Sequence, residues 1–237
     1  MSWTVGPIAG LDFETTGVDP EVDRIVSGAV VEWDNGPRRV RSWLADPGVE
    51  IPPGAARIHG ISTERARAEG RPAAEVVAEV IAALVAAVEA GQPLVVMNAP
   101  FDLTMLEREA ERYGLYSLFS ASAPLVLDPR VLDKHCDRYQ RGQRRLEDLC
   151  ARYSVVHGGA HDAGADAVAA CAVTLALADE YPWIGKTPLP ELHERQVGWA
   201  AGQQSGLREH FKASGQAHRA ATVREEWPLI PLAGWGR

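Results

Sequence analysis

Three apolar-rich stretches near the start of the chain have the length and residue types of strands. They lie at 5–13, 24–33 and 37–45, and the last two are separated by Asp34-Asn35-Gly36. Asn-Gly between two such stretches is a strong hairpin signal. The opening third of the chain therefore predicts three strands in succession, the second and third joined by a tight turn.

The pattern changes after a proline-rich crossing, IPPGAARIHGIS. From there, helical periodicity alternates with short apolar runs. The predicted elements are a helix at 73–90, a strand at 94–97, a helix at 101–114, a strand at 125–128, and helices at 144–153 and 164–180. Three strands followed by alternating helices and strands predict an α/β fold, with a mixed sheet flanked by helices.

Prolines mark a boundary after the last of these helices, at Pro182 and in PLP at 188–190. We therefore divide the chain into a domain at 1–185 and a C-terminal extension at 186–237. The extension is expected to be partly helical, and it then carries the apolar segment WPLIPL at 227–232. Such a segment either packs back on its own domain or binds a partner protein.

The overall charge of −8 argues against a protein that coats nucleic acid through a broad positive field. The acidity belongs to the domain, because residues 1–185 hold 17 basic and 27 acidic residues. Three scattered cysteines, Cys136, Cys150 and Cys171, suggest reduced packing residues and a cytoplasmic location. The longest apolar segment is interrupted by glutamates, so neither secretion nor membrane insertion is expected.

Acidic residues stand at the ends of the predicted elements. Asp12 and Glu14 lie two apart in GLDFETTGVDP, on one face at the end of the first strand. Asp102 follows a buried-looking strand in NAPFD, and Asp166 lies in HDAGADA, five residues after His161. Taken singly, the D-x-E pair also fits a solvated strand end, and Asp102 fits a carboxylate favoured at a helix start.

Four carboxylates brought together without counter-charge would raise one another's pKa values. Divalent cations remove that repulsion. Hard oxygen ligands suit Mg²⁺ or Mn²⁺, and the chain offers no Cys/His cluster that would favour zinc. A shared target for His161 and Asp166 requires the histidine to lie on the incoming loop, because five residues of continuous helix would turn the two about 140° apart.

The motifs D-x-E-T-T-G, N-x-x-F-D and H-x-A-x-x-D resemble, in this order, the three motifs of the DnaQ-like (DEDDh) 3′-to-5′ exonucleases. The family includes proofreading subunits such as the epsilon subunit of bacterial DNA polymerase III. IHGIS at 58–62 resembles a further family segment, and the resemblance covers residues 6–182. It implies a ribonuclease H-like fold: a five-stranded mixed sheet that begins with three antiparallel strands.

The resemblance also implies roles for the acidic residues and the histidine. Asp12 would bridge two metal ions, Glu14 and Asp166 would bind the ion that activates water, and Asp102 would hold the second ion. His161 would take a proton from the attacking water, a task suited to a side chain that titrates near neutrality. Two such ions, about 3.5 to 4 Å apart, can activate the nucleophile and stabilise the departing oxygen.

By the same resemblance, a pocket for the 3′-terminal nucleotide would be framed by residues from three segments. They are Thr15, Thr16, Gly17, His59, Asn98 and Phe101. Phe101 is equally compatible with the core, since aromatic residues at helix starts are commonly buried. The basic segment at 134–145, KHCDRYQRGQRR, is either a solvated loop or a holder of the phosphates of the incoming strand.

The sequence therefore predicts a two-metal 3′-to-5′ exonuclease that releases nucleoside 5′-monophosphates from single-stranded ends, DNA before RNA. Replication or repair is the expected setting. The extension is expected to pack on its own domain, and a DNA polymerase or its clamp is the partner if it binds one instead. The alternatives are an exoribonuclease acting on RNA ends or short oligoribonucleotides, and a non-catalytic polymerase accessory subunit. A scaffold would not need Asp12, Glu14, Asp102, His161 and Asp166 together.

Overall fold

The computed structural model describes residues 2–231. It contains a six-stranded sheet in the order β4-β3-β2-β1-β5-β6. The strands are β1 (Ile8–Thr15), β2 (Ile25–Trp33), β3 (Pro37–Asp46), β4 (Arg71–Pro72), β5 (Leu94–Val96) and β6 (Val126–Leu127). Strands β1, β2 and β3 are antiparallel neighbours, whereas β5 and β6 run parallel to β1.

The expected mixed sheet and its three antiparallel opening strands are confirmed, with one additional strand. The predicted count of five omitted β4, which pairs in parallel with the end of β3. Two residues at a sheet edge are too few to show the alternation by which a strand is recognised. The hairpin is as expected: Asn35 and Gly36 have φ of 56° and 139°, and the Asp34 amide donates to the Gly36 carbonyl.

Eleven α-helices are present in the described residues. They are α1 (Pro53–His59), α2 (Thr63–Glu69), α3 (Ala73–Glu89), α4 (Ala99–Arg112), α5 (Leu118–Ala121), α6 (Pro129–Cys136), α7 (Leu146–Arg152), α8 (Ala163–Glu180), α9 (Pro182–Lys186), α10 (Leu189–Ala213) and α11 (Ala217–Thr222). The proline-rich crossing, for which no element was predicted, contains α1, and α2 begins directly after it. No described helix has a stretch long and apolar enough to cross a membrane.

Side chains of β1 alternate between two cores. Leu11 and Phe13 belong to the apolar cluster that includes α3 and α4. Ile8 belongs to the cluster on the other face, which includes α8. Gly10 lies against α8, because a Cβ atom there would be 2.9 Å from the Ala167 carbonyl oxygen. Asp12 and Glu14 continue the even-numbered face, so the period of two carries both carboxylates towards α8.

The C-terminal extension packs on the domain along the edge strand β6. Gln196, which is fully buried, donates to the Val126 carbonyl and accepts from the Asp128 amide, and His193 Nδ1 accepts from the Val126 amide at 2.9 Å. Side chains of α10 thus satisfy backbone groups that an edge strand would otherwise leave unpaired. Farther along, Trp227 is 6% exposed and joins the core beside α4. Leu232 of the WPLIPL segment lies outside the described residues.

Candidate active site

Asp12 and Glu14 stand at the carboxyl end of β1. Glu14 is 9% exposed and Asp12 is partly exposed. The antiparallel register with β2 shifts between Glu14 and Thr15, so the regular ladder ends where the two carboxylates have been placed. Asp12 and Glu14 therefore lie at the carboxyl end of β1, an interior strand of the sheet.

Asp102 reaches the same strand end from the first turn of α4. It is 4% exposed, and its Oδ1 accepts a hydrogen bond from the Phe13 amide at 3.1 Å. The helix begins after Asn98, whose φ of 61° turns the chain sharply out of β5. This hydrogen bond fixes Asp102 between the positions of Asp12 and Glu14 along the strand.

Asp166 lies in the first turn of α8, and His161 lies on the loop that enters this helix, as their spacing requires. The His161 amide donates to Asp166 Oδ2 at 3.2 Å, with the histidine held at a φ of 64°. Potential ligand atoms of Glu14, His161 and Asp166 all lie within 4.8 Å of one another. The loop thus turns an exposed imidazole back towards the acids.

The pKa shifts show the cost of gathering these carboxylates. Burial raises the pKa of Asp12 well above its ordinary value, and the charges of Asp102, Asp166 and Glu14 raise it further. Burial, followed by the charge of Asp166, raises the pKa of Glu14 to about 7. Burial also raises the pKa values of Asp102 and Asp166, although hydrogen bonds to their oxygens oppose the shift.

The donor set fits hard divalent cations. In residues 2–231, no lysine or arginine forms an ion pair with Asp12, Glu14, Asp102 or Asp166. Most other buried acids have a partner: Glu109 and Asp133 pair with arginines, and Asp128 accepts hydrogen bonds from backbone amides. The potential ligand atoms of the donor set are carboxylate oxygens and the imidazole nitrogen of His161. Cations of the Mg²⁺ or Mn²⁺ type would supply the missing positive charge.

Two further residues of the site were not predicted from the sequence. His157 lies 2.5 Å from Asp166, Nε2 to Oδ1, and Asp162 caps α8 by accepting a hydrogen bond from the Ala165 amide at 2.9 Å. Asp162 also contributes to the raised pKa values of Asp12 and Glu14. An aspartate directly before a helical run is a recognisable cap signal, whereas nothing in the sequence marks His157.

The segment Thr15-Thr16-Gly17 forms a turn directly after the acidic strand end. Thr16 is 4% exposed, and its hydroxyl donates to Asp23 Oδ1 at 2.8 Å. A Cβ atom at Gly17 would lie 2.4 Å from Asp23 Oδ2, so any other residue there would have to displace the Asp23 side chain. The Thr16 side chain is therefore used to hold the turn, and Thr15, whose hydroxyl donates to the Gly17 carbonyl, is the more accessible of the two threonines.

The other residues predicted to frame a nucleotide lie on two sides of this turn. His59 is the last residue of α1. Burial lowers the pKa of His59, whereas a hydrogen bond to the Thr15 backbone opposes that shift. Asn98 accepts a hydrogen bond from Arg130 through Oδ1 at 2.8 Å. Phe101 packs against the core cluster of β1, α3 and α4 and is partly exposed. His59 is thus placed beside Thr15, and Asn98 and Phe101 border the acids from the α4 side.

A sheet of this topology with acids converging from β1, α4 and α8 defines a nuclease-like catalytic unit, and the sequence gives its family. The chain belongs to the RNase_T exonuclease family, whose model matches residues 9–174. The matched span contains all four carboxylates and both histidines of the cluster. No curated protein matches the sequence significantly.

Solved structures of exonuclease I share the fold. One has a TM-score of 0.62 at 22% identity over 80% of this chain. The Escherichia coli enzyme in complex with a dT13 oligonucleotide has a TM-score of 0.62 at 21% identity over 75% of this chain. The enzyme from Methylocaldum szegediense has a TM-score of 0.61 at 23% identity over 74% of this chain. The alignments cover 42%, 43% and 41% of those chains, so this chain spans about two fifths of their length.

Proposed function

We propose that this protein is a divalent-metal-dependent 3′-to-5′ exonuclease that releases nucleoside 5′-monophosphates from single-stranded DNA ends. The observation that carries the proposal is the convergence of Asp12, Glu14, Asp102 and Asp166 beside a loop-borne His161, with no lysine or arginine paired to them in residues 2–231. Within the family, the histidine five residues before the last aspartate supports the DnaQ-like (DEDDh) variant of the reaction.

Each residue has a task that its position supports. Asp12, Glu14 and Asp166 would hold two cations at the end of β1, with Asp102 completing the set from α4. When bound, these cations supply a nucleophilic water at neutral pH and charge stabilisation at the departing oxygen. His161 accepts the proton of that water, and its half-exposed side chain can pass the proton to solvent.

Single-stranded DNA is proposed ahead of RNA because the E. coli neighbour was solved with a dT13 oligonucleotide. The apolar residues of the extension do not favour a polymerase or clamp partner. Leu192 is fully buried, and Ala220 and Trp227 are 5% and 6% exposed, so these apolar residues are already covered within the chain itself.

The test uses 5′-labelled oligonucleotides of DNA and RNA, single-stranded, duplex and circular, incubated with Mg²⁺, Mn²⁺ or EDTA. A 3′-to-5′ exonuclease produces a ladder of shortened labelled strands, with metal only, and leaves circles intact. Asp12→Ala, which removes a carboxylate that would hold the cations, should abolish the ladder without unfolding the protein. Immediate release of a labelled mononucleotide or cleavage of circles would reject the polarity, and faster loss of RNA than of DNA would reject the substrate.

A further inference from the structure

Helix α10 carries three glycines, Gly198, Gly202 and Gly206, in its interior. Residues four apart lie on one face of a helix, so the three form a single row. Glycine is among the least favourable residues inside a helix because it loses the most backbone freedom on folding. A Cβ atom built at any of the three meets no atom within 4 Å. Packing among the described residues therefore does not require glycine at these positions.

The row of glycines forms one wall of a groove of about 610 Å³. The facing wall is the C-terminal end of α6, with Lys134 and His135, together with Arg138, which lies just after the helix. His135 stacks on Trp199 of α10, with ring centroids 3.7 Å apart and an angle of 16° between the rings. The groove thus combines an aromatic pair, two cationic side chains and a helix face from which side chains are missing.

The two cations of this groove have no acidic partner in the described residues. The neighbouring Arg144 and Arg152 pair with Asp133 and Asp137, but Lys134 and Arg138 form no ion pair in residues 2–231. Burial, and then the charges of Arg130 and Arg144, lower the pKa of Lys134. An anion placed here would gain from both side chains without first displacing a carboxylate.

A second groove, of about 510 Å³, continues from the first towards the acidic cluster. Lys134 lines both grooves, and the second is also lined by Asn98, Arg130 and Arg145. Asn98 directly precedes α4, which carries Asp102. In a protein of net charge −8, a row of cations therefore runs from the edge of the candidate active site to the glycine face of α10.

We infer that the groove between α6 and α10 binds the single strand that leads away from the 3′-terminal nucleotide. Lys134 and Arg138 contact its phosphates, the glycine row lets the sugar–phosphate backbone approach α10 closely, and the His135–Trp199 pair offers an aromatic face to a base. The inference rests on the proposed nuclease function. Because α10 lies beyond residues 9–174, this strand-binding groove is an addition to the family's catalytic unit.

A second copy of the chain is the main competitor for the glycine row, since small residues also let two helices pack closely. Two α10 helices in contact would bring Lys134 and Arg138 of both copies together without counter-charge. The charge of the groove therefore favours a polyanion, and its continuity with the active site favours the substrate strand over an acidic peptide.

The experiment measures binding of a fluorescent 20-nucleotide single strand in the Asp12→Asn background, by anisotropy over a range of salt concentrations. Two groove variants are used: the double variant Lys134→Ala/Arg138→Ala and the uncharged filler Gly202→Gln. The matched control, Arg39→Ala/Arg67→Ala, removes two exposed charges at the opposite edge of the sheet. Melting temperatures check folding, and Gly202→Gln is expected to be at least as stable as its parent.

The double variant should weaken binding at least tenfold and reduce the slope of log affinity against log salt by about 1.4, the value for two phosphate contacts to a single strand. Gly202→Gln should weaken binding with the salt slope unchanged. The control should bind like its parent. Groove variants that bind the strand like the control would overturn the inference. It would also be overturned if Gly202→Gln changed only the oligomeric state measured by sedimentation, or only the binding of an acidic peptide.

A kinetic arm separates this inference from the proposed function. With the chain otherwise unaltered, the groove variants should lower the ratio of kcat/KM for the 20-nucleotide strand to kcat/KM for a dinucleotide, which is too short to reach α10. Absence of hydrolysis in the unaltered protein would reject the nuclease function, whereas the binding arm would still decide the groove. An unchanged ratio in an active enzyme would reject the groove alone.

Discussion

The imidazole of His157 lies 2.5 Å from the carboxylate of Asp166, with Nε2 facing Oδ1, and only 14% of its side chain is exposed. The other oxygen of Asp166 accepts the His161 amide. Each oxygen of the Asp166 carboxylate therefore has one hydrogen-bond partner that is not an acid, and these two partners fix its orientation. Such outer partners fix the direction in which a ligand presents its lone pairs.

His157→Phe should weaken the binding of Mg²⁺ or Mn²⁺ by about 10- to 100-fold, because it removes the donor that orients Asp166 while keeping a ring of similar size. Turnover should recover at saturating metal. Metal titrations followed by calorimetry and by activity check this, and His157→Gln, which keeps an N–H donor, should restore part of the affinity. A His157→Phe enzyme with unaltered metal dependence would show that Asp166 needs no such support.

His161→Ala should lower kcat by about 10²- to 10⁴-fold, the usual contribution of a positioned general base. Metal affinity should change little, since the carboxylates remain in place. The pH–rate profile should also change shape, because the group that takes the proton from water has been removed. Steady-state kinetics over a pH series provide the measurement, with His218→Ala on the exposed face of α11 as the matched control. An unchanged profile would remove His161 as the base.

Without metal, stability should fall as pH rises from about 4.5 to about 7. The folded protein holds a proton on Glu14 in that interval, because the pKa of Glu14 is raised from 4.5 to about 7, while the unfolded chain has already lost it. The shift corresponds to roughly 3 kcal/mol at 1.36 kcal/mol per pKa unit. Asp12 and Asp102, whose pKa values are raised as well, act in the same direction.

Mg²⁺ should therefore raise the melting temperature more at pH 8 than at pH 5, where protons already neutralise the cluster. Thermal melts with and without Mg²⁺ at the two pH values measure the difference. Glu14→Gln should flatten the pH dependence of the metal-free protein. Equal metal effects at both pH values would contradict a carboxylate cluster that depends on cations.

The elements that carry the acids were predictable because each has a strong local signal. β1 and α8 are long and apolar, and Asp12 and Asp166 stand at their ends. α6 was missed although Asp128-Pro129 is a cap followed by a proline in the first helical position, with Asp128 accepting from the Arg130 and Val131 amides. Helix α6 is short and polar, so the spacing of apolar residues did not predict it.

The contributions of His157 and of the extension depend on contacts far apart in sequence or on loop geometry. His157 reaches Asp166 only because the intervening loop bends, with Gly159 at a φ of 157° and His161 at 64°. The seating of α10 on β6 depends on Gln196 meeting backbone atoms about 70 residues earlier. Neither relationship has a periodic or motif signature, so a single sequence does not show it.

Gly10→Ala should cost about 1–3 kcal/mol of stability, because its Cβ atom would lie 2.7 Å from the Cys171 sulfur and 2.9 Å from the Ala167 carbonyl oxygen. Relief requires α8 to move away from β1, which changes the distance between Asp12 and Asp166. Activity at limiting metal should therefore fall more than stability alone explains. Urea denaturation and metal activation curves test this, with Gly54→Ala, where a Cβ meets open space, as control.

Trp227→Ala should lower the free energy of unfolding by about 3–5 kcal/mol, the usual cost of emptying a buried aromatic site. The indole nitrogen also donates to Asp128 Oδ2 at 3.3 Å, and the other oxygen of Asp128 accepts the Asn98 amide at the start of α4. Trp227→Phe, which keeps most of the ring volume but removes this donor, should cost only about 1 kcal/mol.

Urea denaturation of both Trp227 variants, followed by circular dichroism, provides the measurement. A larger loss for Trp227→Ala than for Trp227→Phe means that the extension stabilises the domain chiefly by packing. Equal stability in both variants and the unaltered protein would contradict the packing of Trp227 on the domain. It would favour a segment that binds a partner. Because Asp128 connects Trp227 to the segment that starts α4, the Ala variant should also weaken metal activation through Asp102, a change that loss of a remote partner site would not produce.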